Sequence, residues 1–75
     1  MQRYGNTGGD SGIRAFESGA DSIAVEFGDG ATYRYTYASA GAVNIEQMKQ
    51  LALRGSGLNG YINRYVKNAY ESRLR

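Results

Sequence analysis

The chain has 75 residues, no cysteine and no histidine, and its nine Lys and Arg against seven Asp and Glu leave a formal net charge of +2. That length supports one domain, which buries about 60% of the surface its unfolded chain exposes. The missing Cys and His exclude a disulfide framework, thiol chemistry and the commonest metal ligand and acid/base group. No apolar run approaches the ~20 residues that span a bilayer, and no signal-type apolar region opens the chain, so a soluble, cytoplasmic protein is expected.

Residues 1–11 carry Gly5, Gly8 and Gly9 among Asn, Thr and Asp with almost nothing to bury, and read as a flexible Gly-rich arm before a single domain over 12–75. Ile13 to Ser18 is the first strand, with Phe16 out of phase with Ile13 and Ala15. Ser22 to Phe27 is the second, and Ala31 to Tyr37, with its alternating tyrosines, the third.

The loop between the second and third strands decides what the tyrosines face, because one residue more or less flips every side chain of a strand. A two-residue loop at Asp29 and Gly30 sets Val25 against Arg34 and mixes apolar with polar on both faces. A three-residue loop at Gly28, Asp29 and Gly30, with Gly30 left-handed, pairs Val25 with Tyr33 and Ile23 with Tyr35. One face then holds Ile23, Val25, Phe27, Tyr33, Tyr35 and Tyr37, and the solvent face holds Ser22, Ala24, Glu26, Thr32, Arg34 and Thr36. The second register predicts a buried tyrosine face.

After a small linker, Ala38 to Ala42, the period becomes helical. Ile45, Met48, Leu51 and Ala52 predict helix one over Ile45 to Arg54, capped by Asn44 with Gln47 reciprocating. Gly55, Ser56 and Gly57 end it. Leu58, Tyr61, Ile62, Tyr65, Val66 and Ala69 then form the strongest stripe in the chain and predict helix two, fading near Tyr70. The fold class is α+β: a three-stranded antiparallel meander followed by two helices packed on one sheet face. The expected core includes Ile23, Val25, Phe27, Tyr33, Tyr35, Leu51, Leu58, Ile62 and Tyr65.

The hairpin residues Asp29, Gly30, Tyr33 and Tyr35, followed by a helix and then Gly55, Leu58, Asn59 and Ile62, resemble the KTSC domain over roughly Gly12 to Arg73. That family occurs at the C-terminus of some lysyl-tRNA synthetases and as small free-standing bacterial proteins. The resemblance implies a meander followed by helices; it brings no assigned activity and a slight pull toward RNA. The chain departs from the pattern where Ala38, Ser39, Ala40 and Gly41 replace the usual Val-Pro, and where the later tyrosine falls at Tyr65 and not at position 66.

Catalytic signals are weak. Gly9, Asp10, Ser11 and Gly12 spell the tetrapeptide around the nucleophile of chymotrypsin-like proteases, but no histidine can take the serine proton. Gly55 and Gly60 have the spacing of a phosphate loop, yet Tyr61 and Ile62 stand where its Lys and Ser/Thr belong. Backbone N–H groups at the start of helix two offer a phosphate site without that motif, with a plain helix cap as the alternative. Asp10, Glu17, Asp21, Glu26, Asp29, Glu46 and Glu71 are scattered, with no acid/base pair expected. No enzyme activity, cofactor or metal is expected.

Two classes of function remain. The first is a protein-interaction or accessory module, self-association included, docking through Phe16 on the meander's edge and through Tyr70 and Leu74 beyond helix two. The alternative is nucleic-acid binding, RNA above all. Residues 1–37 carry a net −2 and residues 38–75 a net +4, and Lys49, Arg54, Asn59, Asn63, Arg64, Lys67 and Arg73 have the composition that phosphate contacts use. Solvation of the helix faces explains the same charges.

Overall fold

Among the residues described by this computed structural model, 1–5 and 12–75, five antiparallel strands form one sheet in sequence order: β1 (Gln2–Arg3), β2 (Ile13–Ser18), β3 (Ser22–Phe27), β4 (Thr32–Thr36) and β5 (Ser72–Arg73). The expected arm over 6–11, with most of the Gly9 to Gly12 tetrapeptide, lies outside the described residues. The β3–β4 turn has the three-residue form. Gly30 takes a φ of 92°, Asp29 Oδ1 accepts the Ala31 N–H at 3.0 Å, and the Phe27 N–H donates to the Ala31 carbonyl at 2.8 Å. Val25 therefore faces Tyr33 and Ile23 faces Tyr35.

Phe16 corrects the sequence reading. Ile13 pairs with Phe27 but Ala15 pairs with Glu26, which makes Arg14 the extra residue of a β-bulge. The bulge turns Ile13 and Phe16, three positions apart, onto one face, and Phe16 is only 1% exposed opposite Val25. Nor is β2 an edge. Gln2 pairs with Phe16 and Arg3 with Ala15, so Met1 to Gly5, expected as arm, supplies an edge strand and the buried Tyr4. At the other edge Arg73 pairs with Tyr33 and Ser72 with Arg34. Both outer strands are two residues long, which limits edge-to-edge pairing.

The expected linker is partly helical. Thr36 and Ser39 form a reciprocal capping box around α1 (Tyr37–Ala40), which takes Tyr37 off the sheet face and leaves it exposed, its hydroxyl donating to Glu46 at 2.6 Å. Helix α2 (Ala42–Arg54) starts three residues earlier than the stripe suggests, with Gly41 as its N-cap and no side-chain cap. Asn44 is thus inside the helix: its Nδ2 donates to the Ala40 carbonyl at 2.8 Å. Gly55, left-handed at φ 79°, closes α2.

Helix α3 (Leu58–Tyr61) runs on into a π-helical turn, Ile62–Val66. Hydrogen bonds from i to i+5 add close to a residue per turn. Val66 is brought back over Ile62, and Leu58, Ile62 and Val66, four apart, are all buried. Tyr65, which an unbroken α-helix would hold at the centre of the stripe, is rotated to the flank and is 57% exposed; it is not a core residue. The buried residues of α2 and α3 pack with Tyr4, Ile13, Phe16, Ile23, Val25 and Tyr35 into one cluster, with Phe27 and Tyr33 partly buried at its margin. On the opposite sheet face Glu26 lies between Arg14 at 3.7 Å and Arg75 at 3.9 Å. Ala24 and Thr32, assigned there to solvent, are buried because short side chains between longer neighbours on flanking strands lose contact with water.

Candidate nucleic-acid interface

The turn that expels Tyr65 from the core builds an aromatic edge along a groove. Tyr61 and Tyr65 lie with ring centroids 4.7 Å apart, and the Arg64 guanidinium is 5.6 Å from the Tyr65 centroid. Across from them α2 contributes Gln47, Leu51 and Arg54, which border an open, shallow groove of about 380 Å³. Gly57 and Gly60 complete its lining, and beyond its chain neighbours and its own helix backbone no heavy atom lies within 4 Å of where a Gly60 Cβ would stand. Among the described residues no carboxylate lines this groove.

The two tyrosines differ in freedom. The Tyr61 hydroxyl donates to Asn44 Oδ1 at 2.6 Å, tying α3 to α2, and burial, then the neighbouring Tyr65, push its phenol pKa up so that it stays a neutral donor. Tyr65 presents an open ring. Exposed aromatic rings beside guanidinium groups can stack bases and hold phosphates, and this pair was missed in the sequence because a regular 3.6-residue period buries Tyr65. The legible signal is the Tyr-x-x-x-Tyr spacing combined with Gly57 just before α3 and Gly60 within it.

The other flank of the same helix faces the sheet. Asn63, Lys67 and Asn68 there border a cleft walled by Tyr33, Tyr35 and Tyr70, with Asn63 Nδ2 donating to Asn59 Oδ1 at 3.4 Å. Arg73 joins this side, its guanidinium 5.6 Å over the Tyr33 ring. The sequence-selected groups thus divide in two: Arg54 and Arg64 share the α2–α3 groove, while Asn59, Asn63, Lys67 and Arg73 lie along the cleft side. Lys49 belongs to neither. It is engaged by the Ala20 carbonyl and Glu46 Oε2, both at 3.0 Å.

The backbone N–H at the start of α3 is also taken, since that of Leu58 donates to the Tyr4 hydroxyl at 3.3 Å. Of the expected docking residues, Phe16 is in the core. Tyr70, 40% exposed, packs 4.7 Å from Tyr33, and Leu74, 45% exposed, pairs its N–H with the Thr32 carbonyl. They form no common patch with Phe16. Several carboxylates are committed structurally: Glu26 to two arginines, Asp29 to its turn, and Glu46 to Tyr37 and Lys49, whose donors hold its pKa below the usual carboxylate range. Among the described residues no group of three or more His, Cys, Asp or Glu is placed to hold a metal ion, and no helix is long and apolar enough to cross a membrane.

Set against protein-family models, curated proteins and solved structures, the chain has no significant match.

Proposed function

We propose that this domain is a non-catalytic module that binds single-stranded nucleic acid in the α2–α3 groove, with Tyr65 and Tyr61 as the stacking edge and Arg54 and Arg64 as the phosphate contacts. The observation that carries this reading is the exposed Tyr65 ring between Tyr61 and Arg64 in a groove with two arginines and, among the described residues, no carboxylate. Backbone charge supplies affinity, and rings receive bases without regard to sequence because every base has a π face. A duplex is a poorer ligand, since its bases are stacked on one another and are not offered to a ring.

We also read the chain as a KTSC-type domain. Support comes from the positions of the motif residues: Asp29 and Gly30 in the hairpin turn, Tyr33 and Tyr35 on the inward face of β4, Gly55 at the end of α2, and Leu58 and Ile62 in the core. A protein-docking role has less to rest on once Phe16 is buried.

Titrating the protein with short single-stranded DNA and RNA oligomers, followed by amide shifts at two salt concentrations, tests the proposal. Shifts at Tyr61, Arg64, Tyr65 and Arg54 that weaken with salt support it. Stacking at about 1–3 kcal/mol per base predicts that Tyr65→Ala loses about 5- to 150-fold in affinity. Absence of shifts, or dilution-dependent shifts without any nucleic acid, would replace it with the self-association reading.

A further inference from the structure

We propose that the cleft between the π-helical turn and the tyrosine end of the sheet is a separate site for a nucleoside monophosphate. This goes beyond the α2–α3 groove and does not depend on it. The cleft has a volume of about 240 Å³, close to the small end of ligand sites and room for one base with its sugar toward the mouth. Tyr33, Tyr35 and Tyr70 make one wall, with Tyr33 and Tyr70 4.7 Å apart and Tyr35 edge-on to Tyr70 at 6.4 Å. Asn63, Lys67 and Asn68 make the other.

Each of these groups meets a need of that ligand class. A base offers a flat apolar face and an edge of mixed donors and acceptors. The wall supplies aromatic surface, and each asparagine amide supplies both a donor pair and an acceptor. The phosphate needs a cation at the mouth. The Lys67 ammonium borders the cleft with no hydrogen-bond or ion-pair partner among the described residues, and Arg73 stands over the Tyr33 ring at the adjoining sheet edge. Among the described residues no carboxylate lines the cleft, and Tyr35, its phenol pushed up to about 12 mainly by burial, adds no negative charge. Tyr33 and Tyr35 stand on the hairpin, and Asn63 on the π-helical turn with Lys67 and Asn68 just beyond it; such turns recur at functional sites. One cation beside the base and a second nearby suit a single phosphate.

The test uses the labelled full chain and separate titrations with AMP, GMP, CMP and UMP, and with adenosine and inorganic phosphate as partial probes. At least one nucleotide is expected to give saturable shifts at Asn63, Lys67, Asn68 and Tyr70 with a Kd of about 1 mM or tighter, and adenosine or phosphate alone to bind at least about tenfold more weakly. Lys67→Gln should weaken the nucleotide by about tenfold, while Tyr65→Ala, which removes the α2–α3 stacking edge, leaves it unchanged. The proposal is overturned by no saturable shift at about 10 mM nucleotide, by an equal response to inorganic phosphate, by full affinity in Lys67→Gln, or by shifts confined to Tyr61, Arg64 and Tyr65. A failure of the groove reading shows instead in the oligomer titration with Tyr65→Ala.

Discussion

The Tyr4 hydroxyl accepts the Leu58 N–H at 3.3 Å, joining residues 54 positions apart in a buried hydrogen bond. Helix α3 has no side-chain cap of its own, so the start of the chain closes the helix near its end. Removing only the hydroxyl in Tyr4→Phe should cost about 1 kcal/mol. Tyr4→Ala, which also empties a site 3% exposed, should cost about 3–4 kcal/mol. Denaturant unfolding of the two variants separates the cap from the packing.

The bulge at Arg14 predicts how the first long strand responds to editing. Phe16→Ser should destabilise by about 3–5 kcal/mol, enough to unfold a domain of this size. Deleting Arg14 should leave Ile13 and Phe16 two positions apart on the inner face of a regular strand, so that the cost is confined to the lost Arg14 contacts with the Gly28 carbonyl and Glu26, about 1 kcal/mol. A folded, fully stable Phe16→Ser protein would put that ring back on the surface.

Alkaline stability should report on Tyr35. Burial first, then Tyr33 and Tyr70, raise its pKa from 10.0 to about 12. A folded pKa above the unfolded one gives stability that is complete below about pH 10 and is lost as pH rises toward 12. One phenol should therefore ionise late and together with unfolding, and Tyr35→Phe should remove that alkaline slope. Glu46 acts at the other end. Its pKa is lowered chiefly by the Tyr37 hydroxyl and then by Lys49, so its contribution is present at neutral pH and fades as pH falls through the lowered value; Glu46→Gln should flatten that part of the acid profile.

The π-helical turn predicts opposite outcomes at neighbouring positions. Ile62→Ala should cost about 2–4 kcal/mol, whereas Tyr65→Ala should stay within about 0.5 kcal/mol in thermal unfolding, since its ring stands in solvent. A large loss in Tyr65→Ala would mean a regular α-helical stripe with that ring inside. For nucleic-acid binding, the double variant Arg54→Gln and Arg64→Gln should reduce the slope of log affinity against log salt by about 1.4, the loss expected for two single-strand phosphate contacts.

The hairpin was legible residue by residue because its information is local. Gly28, Asp29 and Gly30 leave one loop length that separates apolar from polar, and the strands obey a period of two. The apolar faces of α2 and α3 were legible for the same reason, as were the glycines that end α2. Tyr4, Phe16 and Tyr65 were not. Tyr4 is an isolated aromatic in a glycine-rich stretch, buried only because β1 pairs with β2. Phe16 breaks its strand's alternation until one bulged residue is inserted, and Tyr65 follows a helical stripe until the turn widens.

The candidate site divides along the same line. Composition marked the second half of the chain as basic and asparagine-rich, and period placed Asn63, Arg64 and Lys67 opposite the core. Whether those groups make one face or two depends on how far the last helix turns and on which neighbours meet each flank: α2 with Arg54 on one side, Tyr33 and Tyr70 on the other. Turn and strand signals are encoded by adjacent residues whose sterics act alone. Bulges, helix widening and caps contributed from distant segments arise when several elements compete to fill one small core, and that competition has no signature in any single stretch of sequence.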